Sequence, residues 1–254
     1  CIMQDIALII STTLMYSTPL IFAALGGVFS ENSGIVNIGI EGMMTIGAFA
    51  GAAAGYMLGN PWLAFIIGGL AGGLFALIHA LATVSFNADH TISGVAINLL
   101  APGVALFASK IMFDGATMTP TIPMENKIPR PLNGLFPSGS VLDTIFNSYA
   151  TVFIAFILVF VVWYVLYKTK FGLRIRAVGE HPGAADTLGI NVAKTRYAAV
   201  IISGILAGLG GASMSLAVVI STYHSSVMIS GYSLPTSLQV AGLEISSIQD
   251  VTPI

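Results

Sequence analysis

Six apolar segments of membrane-spanning length divide this sequence and limit what it can fold into. They lie at about 6–29, 36–58, 62–85, 91–113, 149–167 and 197–222. A helix needs roughly 20 apolar residues to cross a bilayer, and it satisfies its backbone polar groups within its own segment. The first segment is too long for a cleaved signal peptide and has no basic residue before it. The sequence therefore predicts an all-α, polytopic transmembrane helical bundle.

The composition excludes an ordinary soluble domain. Charged residues make up 8% of the chain, whereas they make up about 25% of an average soluble domain. The single cysteine, Cys1, supports neither a disulfide framework nor a cysteine metal site. Outside one basic segment, basic and aromatic side chains do not alternate as nucleic-acid binding requires. We expect an integral protein of the lipid bilayer with no nucleic-acid partner.

The basic segment, residues 168–196, lies between the fifth and sixth apolar segments. It contains six of the nine Lys and Arg residues, and such loops lie on the cytoplasmic side. If every apolar segment crosses once, the Pro-rich loop at 114–148 and the N-terminus lie outside. Pro182 suits a first helical position and Gly189 a left-handed stop, which predicts a short helix over about 182–188.

Glycine patterns predict close helix packing. Glycines four residues apart occur at Gly47, Gly51 and Gly55, at Gly68 and Gly72, at Gly69 and Gly73, and at Gly204 and Gly208. Small residues at this spacing let helix backbones approach closely in lipid. In the fourth segment, Pro102 and Gly103 predict an interruption of the helix.

Polar residues within the apolar segments are candidates for function because they are costly there. Glu41 lies about one turn inside the second segment, after Asn37, and a carboxylate there must be paired, protonated or facing a polar cavity. Two interpretations remain open. Glu41 either braces a neighbouring helix near the cytoplasmic interface, or it lies on a translocation path where Gly-rich backbone breaks a helix. Ser93 and Asn98 are candidates for the same path, although Asn also hydrogen-bonds between packed helices.

Several kinds of catalytic or metal site are not indicated. His79 is a lone imidazole for which we expect a hydrogen bond in the core and not a ligand role. No HExxH or paired Cys and His spacing indicates a metal, and no GxSxG or GxxxxGK[ST] motif occurs. We expect no enzyme activity in this chain. If the protein uses ATP, another chain must bind it.

Two separate runs resemble permease subunits of bacterial ATP-binding-cassette (ABC) importers, in the branch of branched-chain amino acid, ribose and nucleoside systems. GLRIRAVGEHPGAADTLGINVAKTRYAAVIISGILAGLGGA, residues 172–212, resembles the coupling region of these permeases. NSGIVNIGIEGMMTIGAFAG, residues 32–51, resembles the nucleoside and simple-sugar members more closely than the amino acid members. The resemblance covers roughly residues 14–222 and identifies the branch better than the cargo.

The resemblance implies that residues 179–189 form a coupling helix, which docks into a groove on a cytoplasmic ABC ATPase. The implied coupling residues are Gly179, Glu180, Pro182, Ala184, Ala185 and Gly189. The residues implied near the translocation path are Asn37, Glu41, Ser93 and Asn98. No cofactor is expected in this chain, since ATP and Mg²⁺ would be bound by the partner ATPase.

The resemblance also implies a second permease subunit, an extracytoplasmic substrate-binding protein and a location in the plasma membrane of a bacterium, the cell inner membrane. The favoured cargo is a nucleoside, with ribose or another simple sugar as the alternative. A nucleoside is neutral and amphipathic, so its path needs spaced polar groups without a fixed ion pair. Asn37 and Asn98 match that demand.

The last part of the sequence departs from the family. Beyond about Tyr223 it is polar and aperiodic, and the family would continue with further helices. We therefore divide the chain into a transmembrane permease domain at 1–222 and an atypical tail at 223–254, and expect truncation or an altered reading frame there.

Two hypotheses of other classes are weaker. An ion-coupled secondary carrier would place several ionisable groups at mid-membrane depth, and only Glu41 and His79 approach this. A membrane-embedded enzyme would show clustered His, Asp or Ser nucleophile motifs, which the sequence lacks.

Overall fold

The computed structural model describes residues 2–116, 119, 127–131 and 149–218. Every regular element within these residues is helical, which confirms the all-α bundle. The helices are α1 (Ile2–Asn32), α2 (Ile40–Leu58), α3 (Pro61–Ala80), α4 (His90–Met112), α5 (Ala150–Lys168), α6 (Lys170–Glu180), α7 (Pro182–Thr187) and α8 (Val192–Ser213). The tail at 223–254 and most of the 114–148 loop lie outside the described residues.

Five stretches of helix in the described part of the chain are long and apolar enough to cross a membrane, so the protein is a multi-pass membrane protein. They are Met3–Asn32, Pro61–Ser85, His90–Met112, Ala150–Lys168 and Val192–Ala217. The second and fifth of these stretches include π-helical turns, at Leu81–Ser85 and Met214–Val218, which continue α3 and α8. The remaining expected segment forms α2, which is not one of these five stretches.

Contacts at the helix ends show that α2 nevertheless runs between the same two ends of the bundle as its neighbours. At one end, the backbone N–H of Val36, just before α2, lies 3.4 Å from Nδ1 of His90, the first residue of α4. At the other end, the rings of Tyr56 and Phe113 pack edge to face with centroids 5.8 Å apart. Nineteen residues at 1.5 Å each give a length of about 28 Å, close to the thickness of the hydrocarbon core. That α2 makes the sixth membrane crossing stays a prediction.

Local sequence signals explain where α3 and α4 begin. The Asn60 side chain accepts hydrogen bonds from the backbone amides of the first turn of α3, and proline occupies the first helical position. Asp89 caps α4 in the same way, and hydrogen bonds from the amides of Ile92 and Thr91 lower the pKa of its carboxyl group.

The expected interruption of the fourth segment is wrong. α4 runs as one helix from His90 to Met112, with Pro102 inside it. Proline removes one backbone hydrogen bond, and helices within membranes tolerate this where neighbouring groups compensate. The Pro102 and Gly103 pair therefore does not interrupt α4.

The predicted glycine packing is confirmed around α8, which lies against α1, α2 and α3. A methyl group at Gly72 of α3 would lie 2.7 Å from Cα of Gly208 in α8. A methyl group at Gly208 would lie 2.5 Å from the carbonyl oxygen of Gly68, and one at Gly47 of α2 would also meet the Gly208 backbone. The three helices can approach this closely only because these positions lack a Cβ.

Candidate functional site

The chain leaves helical geometry between α1 and α2, in a segment of residues 33–39 that we call the elbow. Gly34 turns the chain with a φ of 81°, a left-handed conformation that favours glycine. The Ser30 hydroxyl donates to the carbonyl of Ile35 at 2.7 Å and fixes the end of α1 to the elbow. The second helix therefore begins at Ile40, four residues later than the apolar pattern indicates.

Asn37 attaches the elbow to α8. Its side chain is 6% exposed, and its Nδ2 donates to the hydroxyl of Ser203 at 3.0 Å. Its Oδ1 is buried and has no hydrogen-bond partner in the described part of the chain. Sequence reasoning missed Ser203, which resembles the other small residues of a packed helix. Its place directly before Gly204 is the one sequence feature that indicates a close contact.

Asn98 of α4 holds the first turn of α2. Its Nδ2 donates to the carbonyl of Ile38 at 3.0 Å, and its Oδ1 accepts from the backbone N–H of Gly42 at 2.7 Å. The N–H groups in the first turn of a helix have no partner within the helix, so Asn98 supplies one from a neighbouring helix. A Cβ at Gly42 would lie 2.7 Å from the carbonyl oxygen of Ile97, which shows how tightly α4 packs here.

Glu41 lies in the same first turn and is half-buried. Its Oε1 is shielded from solvent and, among the described residues, has no hydrogen-bond partner. Ser93 faces elsewhere, because its hydroxyl lies 2.9 Å from Nδ1 of the fully buried His79. The structure therefore gathers Asn37, Glu41 and Asn98 around the elbow, pairs Ser93 with His79 and provides the expected core hydrogen bond of His79.

The expected coupling segment is divided between two helices. α6 ends at Glu180, and α7 then runs from Pro182 to Thr187. Gly189 has a φ of 77°, and its N–H donates to the carbonyl of Asp186 at 2.8 Å. The predicted proline start and left-handed glycine stop are both present, and the short helix is one residue shorter than expected.

The two alanines of α7 lie on different sides. Ala184 is exposed, whereas Ala185 is 2% exposed and faces the interior of this chain. Leu188, directly after α7, is 80% exposed. An apolar side chain this accessible next to a short surface helix is the stronger candidate for a contact, and sequence reasoning missed it because a single Leu gives no periodic signal.

The expected coupling segment, residues 179–189, touches the elbow directly. The backbone at Gly179 packs on the carbonyl of Asn32, and a methyl group there would lie 3.2 Å from the Gly34 nitrogen. Nε of Arg196, at the start of α8, donates to the carbonyl of Ser33 at 3.3 Å. The elbow, the end of α6 and the start of α8 thus form one packed junction at a single end of the bundle.

No metal centre accompanies this site within the described ranges, where no group of three or more His, Cys, Asp and Glu residues could hold an ion. Asn37, Glu41 and Asn98 together can position the backbone of the elbow and offer hydrogen-bond acceptors.

Comparisons with known proteins agree with the sequence resemblance. The chain is similar to the guanosine ABC transporter permease protein NupQ of Bacillus subtilis, with 48% identity over 242 residues, which cover 91% of this chain and 74% of the relative. It is 42% identical over 233 residues to the nucleoside ABC transporter permease protein NupC of Lactococcus lactis subsp. cremoris, covering 85% of this chain and 70% of the relative.

A third relative, the glucose ABC transporter permease protein TsgB13 of Haloferax volcanii, is 25% identical over 220 residues, covering 80% of this chain and 55% of that protein. No solved structure matches the chain. The sequence pattern described as branched-chain amino acid transport system / permease component matches residues 9–248, a range that extends past Tyr223 into the stretch expected to depart from the family. The chain therefore belongs to the branched-chain amino acid transport system permease component family.

Proposed function

We propose that this chain is the permease subunit of an ATP-driven importer of nucleosides. The observation that supports this most strongly is the 48% identity, over 91% of the chain, to a protein named a guanosine ABC transporter permease. The relative at 42% identity is named for nucleoside transport as well. Residues 1–222 would form the permease domain, with 223–254 as its tail.

The chemistry at the elbow supports a cargo that donates hydrogen bonds. Oδ1 of Asn37 and Oε1 of Glu41 are both acceptors, and both lack a partner in the described structure. A nucleoside offers ribose hydroxyls and, on most bases, N–H groups. We therefore place the elbow beside the translocation path, where Glu41 contacts cargo and Asn37 and Asn98 position the backbone; Ser93 supports the wall of the path through His79.

The junction supports coupling to a separate ATPase. We propose that Glu180, Ala184 and Leu188 contact a cytoplasmic ABC ATPase, which binds ATP and Mg²⁺, while Ala185 seats α7 on its own chain. Gly179, Pro182 and Gly189 would define the shape of the segment. Movement of α7 would reach the elbow through the packing of Gly179 on Asn32, a rigid-body transmission.

The complete importer would also contain a second permease subunit and an extracytoplasmic substrate-binding protein, in the plasma membrane of a bacterium. A simple sugar is the second candidate cargo, and it is favoured by the relative named for glucose transport. Ribose is part of a nucleoside, so both cargoes would present hydroxyl groups to the same acceptors.

Uptake of radiolabelled guanosine by cells that express the full-length permease with its partners tests the cargo. We expect unlabelled nucleosides to compete, and a 100-fold excess of glucose, ribose or leucine to leave uptake unchanged. Uptake of radiolabelled glucose or ribose, with no uptake of guanosine, would favour the sugar importer. Uptake of radiolabelled leucine alone would reject both cargoes.

A further inference from the structure

The outer face of α6 combines basic and apolar side chains that the coupling role does not use. Lys170, Leu173 and Arg174 share this face, because residues three and four apart are neighbours on a helix. All three are exposed, and Leu173 is 61% exposed. The opposite face, with Ile175 and Val178, is fully buried against the protein. We propose that this outer face binds the headgroups of anionic phospholipids at the cytoplasmic surface of the membrane.

The chain path places α6 at the membrane boundary. α5 is apolar enough to cross the membrane and ends at Lys168, and α6 begins at Lys170. Thr169 is the single residue between them, and its hydroxyl accepts a hydrogen bond from the Gly172 N–H at 3.2 Å. A helix joined so closely to a membrane-crossing helix and capped at that joint cannot move away from the bilayer surface.

Two cation–π contacts place cationic side chains against the exposed surface of α5. The Arg176 guanidinium lies 4.9 Å from the ring centroid of Tyr167, which is 53% exposed. The Lys168 ammonium lies 5.8 Å from the ring centroid of Trp163, which is 52% exposed. Exposed Trp and Tyr rings near the end of a crossing helix mark the level of the lipid headgroups. Leu173 is three residues before Arg176 and therefore lies on the same side of α6.

The chemistry of this face matches a phospholipid headgroup. The cytoplasmic leaflet carries anionic lipids, and Lys and Arg near its surface each contribute to binding. Leu173 can enter the boundary between headgroups and acyl chains, as the apolar side of an interfacial helix does. The single acidic residue of α6, Glu180, lies at the far end, where it lines a cleft with Glu31. It therefore does not neutralise Lys170 and Arg174.

This proposal rests on the cytoplasmic position of residues 168–196 that the proposed function includes. Its test is independent of transport: the complete transporter, purified in detergent, is titrated with phosphatidylglycerol and with phosphatidylcholine, and bound lipid is counted by native mass spectrometry. The test variant is Lys170→Gln with Arg174→Gln, since glutamine keeps the length and helix propensity of both side chains. The matched control is Lys110→Gln with Arg130→Gln, which removes two exposed cations at the other end of the bundle.

We expect the parent and the control to bind phosphatidylglycerol in preference to phosphatidylcholine. The test variant should bind phosphatidylglycerol roughly 20- to 30-fold more weakly, from the contribution of two basic side chains near an anionic surface. Lys170→Arg with Arg174→Lys should restore the preference. Equal losses in test and control variants would show a general effect of charge and overturn the proposal. So would a test variant that binds phosphatidylglycerol normally but loses its ATPase subunit, because a protein would then cover this face. Failure of nucleoside uptake in the parent would overturn the proposed function and leave this result unaffected.

Discussion

At the scale of single residues, Asn98 of α4 holds the end of the elbow and the first turn of α2 through two hydrogen bonds to the backbone. Asn98→Leu removes both and leaves the Gly42 N–H and the Ile38 carbonyl without partners. We expect a loss of about 1–3 kcal/mol in stability and a parallel loss of uptake, measured by thermal unfolding in detergent and by uptake per folded molecule. Leu99→Ala, at a neighbouring position that is 76% exposed, is the control. An unchanged melting temperature in Asn98→Leu would contradict this structural role.

Glu41 differs from Asn98, since its Oε1 has no hydrogen-bond partner in the described residues. Glu41→Leu should lower the initial rate of guanosine uptake by about 10- to 100-fold, the effect of one hydrogen bond to a charged group. The amount of folded protein should not fall, because no hydrogen bond within the described chain is lost. The control is Asp114→Asn, which changes a carboxylate just after the end of α4, at the other end of the bundle. Uptake that stays normal in Glu41→Leu would remove Glu41 from the path.

The sequence identified some of these residues and not others, for physical reasons. Asn37 and Asn98 could be found because a polar side chain within an apolar segment must have a partner. Their partners could not be found, since Ser203 lies far away in the chain and the carbonyl of Ile38 has no side-chain signal. Ala185 was expected at an outer contact, but the direction of one residue in a six-residue helix depends on how that helix packs.

At the scale of helices, glycines determine how closely α2, α3 and α8 approach. Gly72→Ala introduces a methyl group 2.7 Å from Cα of Gly208. Such overpacking should cost about 1–3 kcal/mol and lower the melting temperature in detergent. Gly103→Ala is a matched control, because nothing lies within 4 Å of a methyl group at that position of α4. Equal effects of the two substitutions would show that close packing is not what Gly72 provides.

The surface helix α7 gives a second prediction at this scale. Leu188→Glu changes a side chain that is 80% exposed, so folding and membrane insertion should be unaffected. If this residue docks on the ATPase, uptake should fall at least tenfold, and ATP hydrolysis should no longer respond to cargo. Gly183→Ala, at a position of α7 where a methyl group meets open space, should behave as the parent. Normal coupled uptake in Leu188→Glu would exclude this docking contact.

The helices that the sequence predicted best are those whose ends carry capping residues, proline or glycine. The cap and proline at the start of α3 and the proline and glycine around α7 fixed those boundaries locally. α6 escaped notice because the large apolar residues of its buried face, Ile175 and Val178, are only two and lie among basic residues. The sequence pattern that could have revealed α6 is that Ile175 and Val178 are three positions apart. This spacing is typical of an amphipathic helix, and α6 is too short to cross a membrane.

At the scale of the whole molecule, the alternation of helices fixes the relative sides of the loops. Single cysteines at Ala116 and Thr187, introduced after native cysteines are replaced, can be treated with a membrane-impermeant thiol reagent on intact cells. We expect labelling at residue 116 only, because the positive-inside bias predicts that the basic segment, residues 168–196, lies in the cytoplasm. Thr187 should react after the cells are permeabilised. Labelling at residue 187 but not at 116 in intact cells would reverse the orientation.

The proposed function is ATP-driven passage of nucleosides through this chain. Its most direct measurement is uptake of radiolabelled guanosine into proteoliposomes that contain the full-length permease with its ATPase, second permease subunit and binding protein. We predict accumulation that requires ATP and Mg²⁺ on the side of α7 and that falls at least tenfold with Glu41→Leu. Guanosine entry at the same rate without ATP, or with Glu41→Leu and Leu188→Glu combined, would contradict the account.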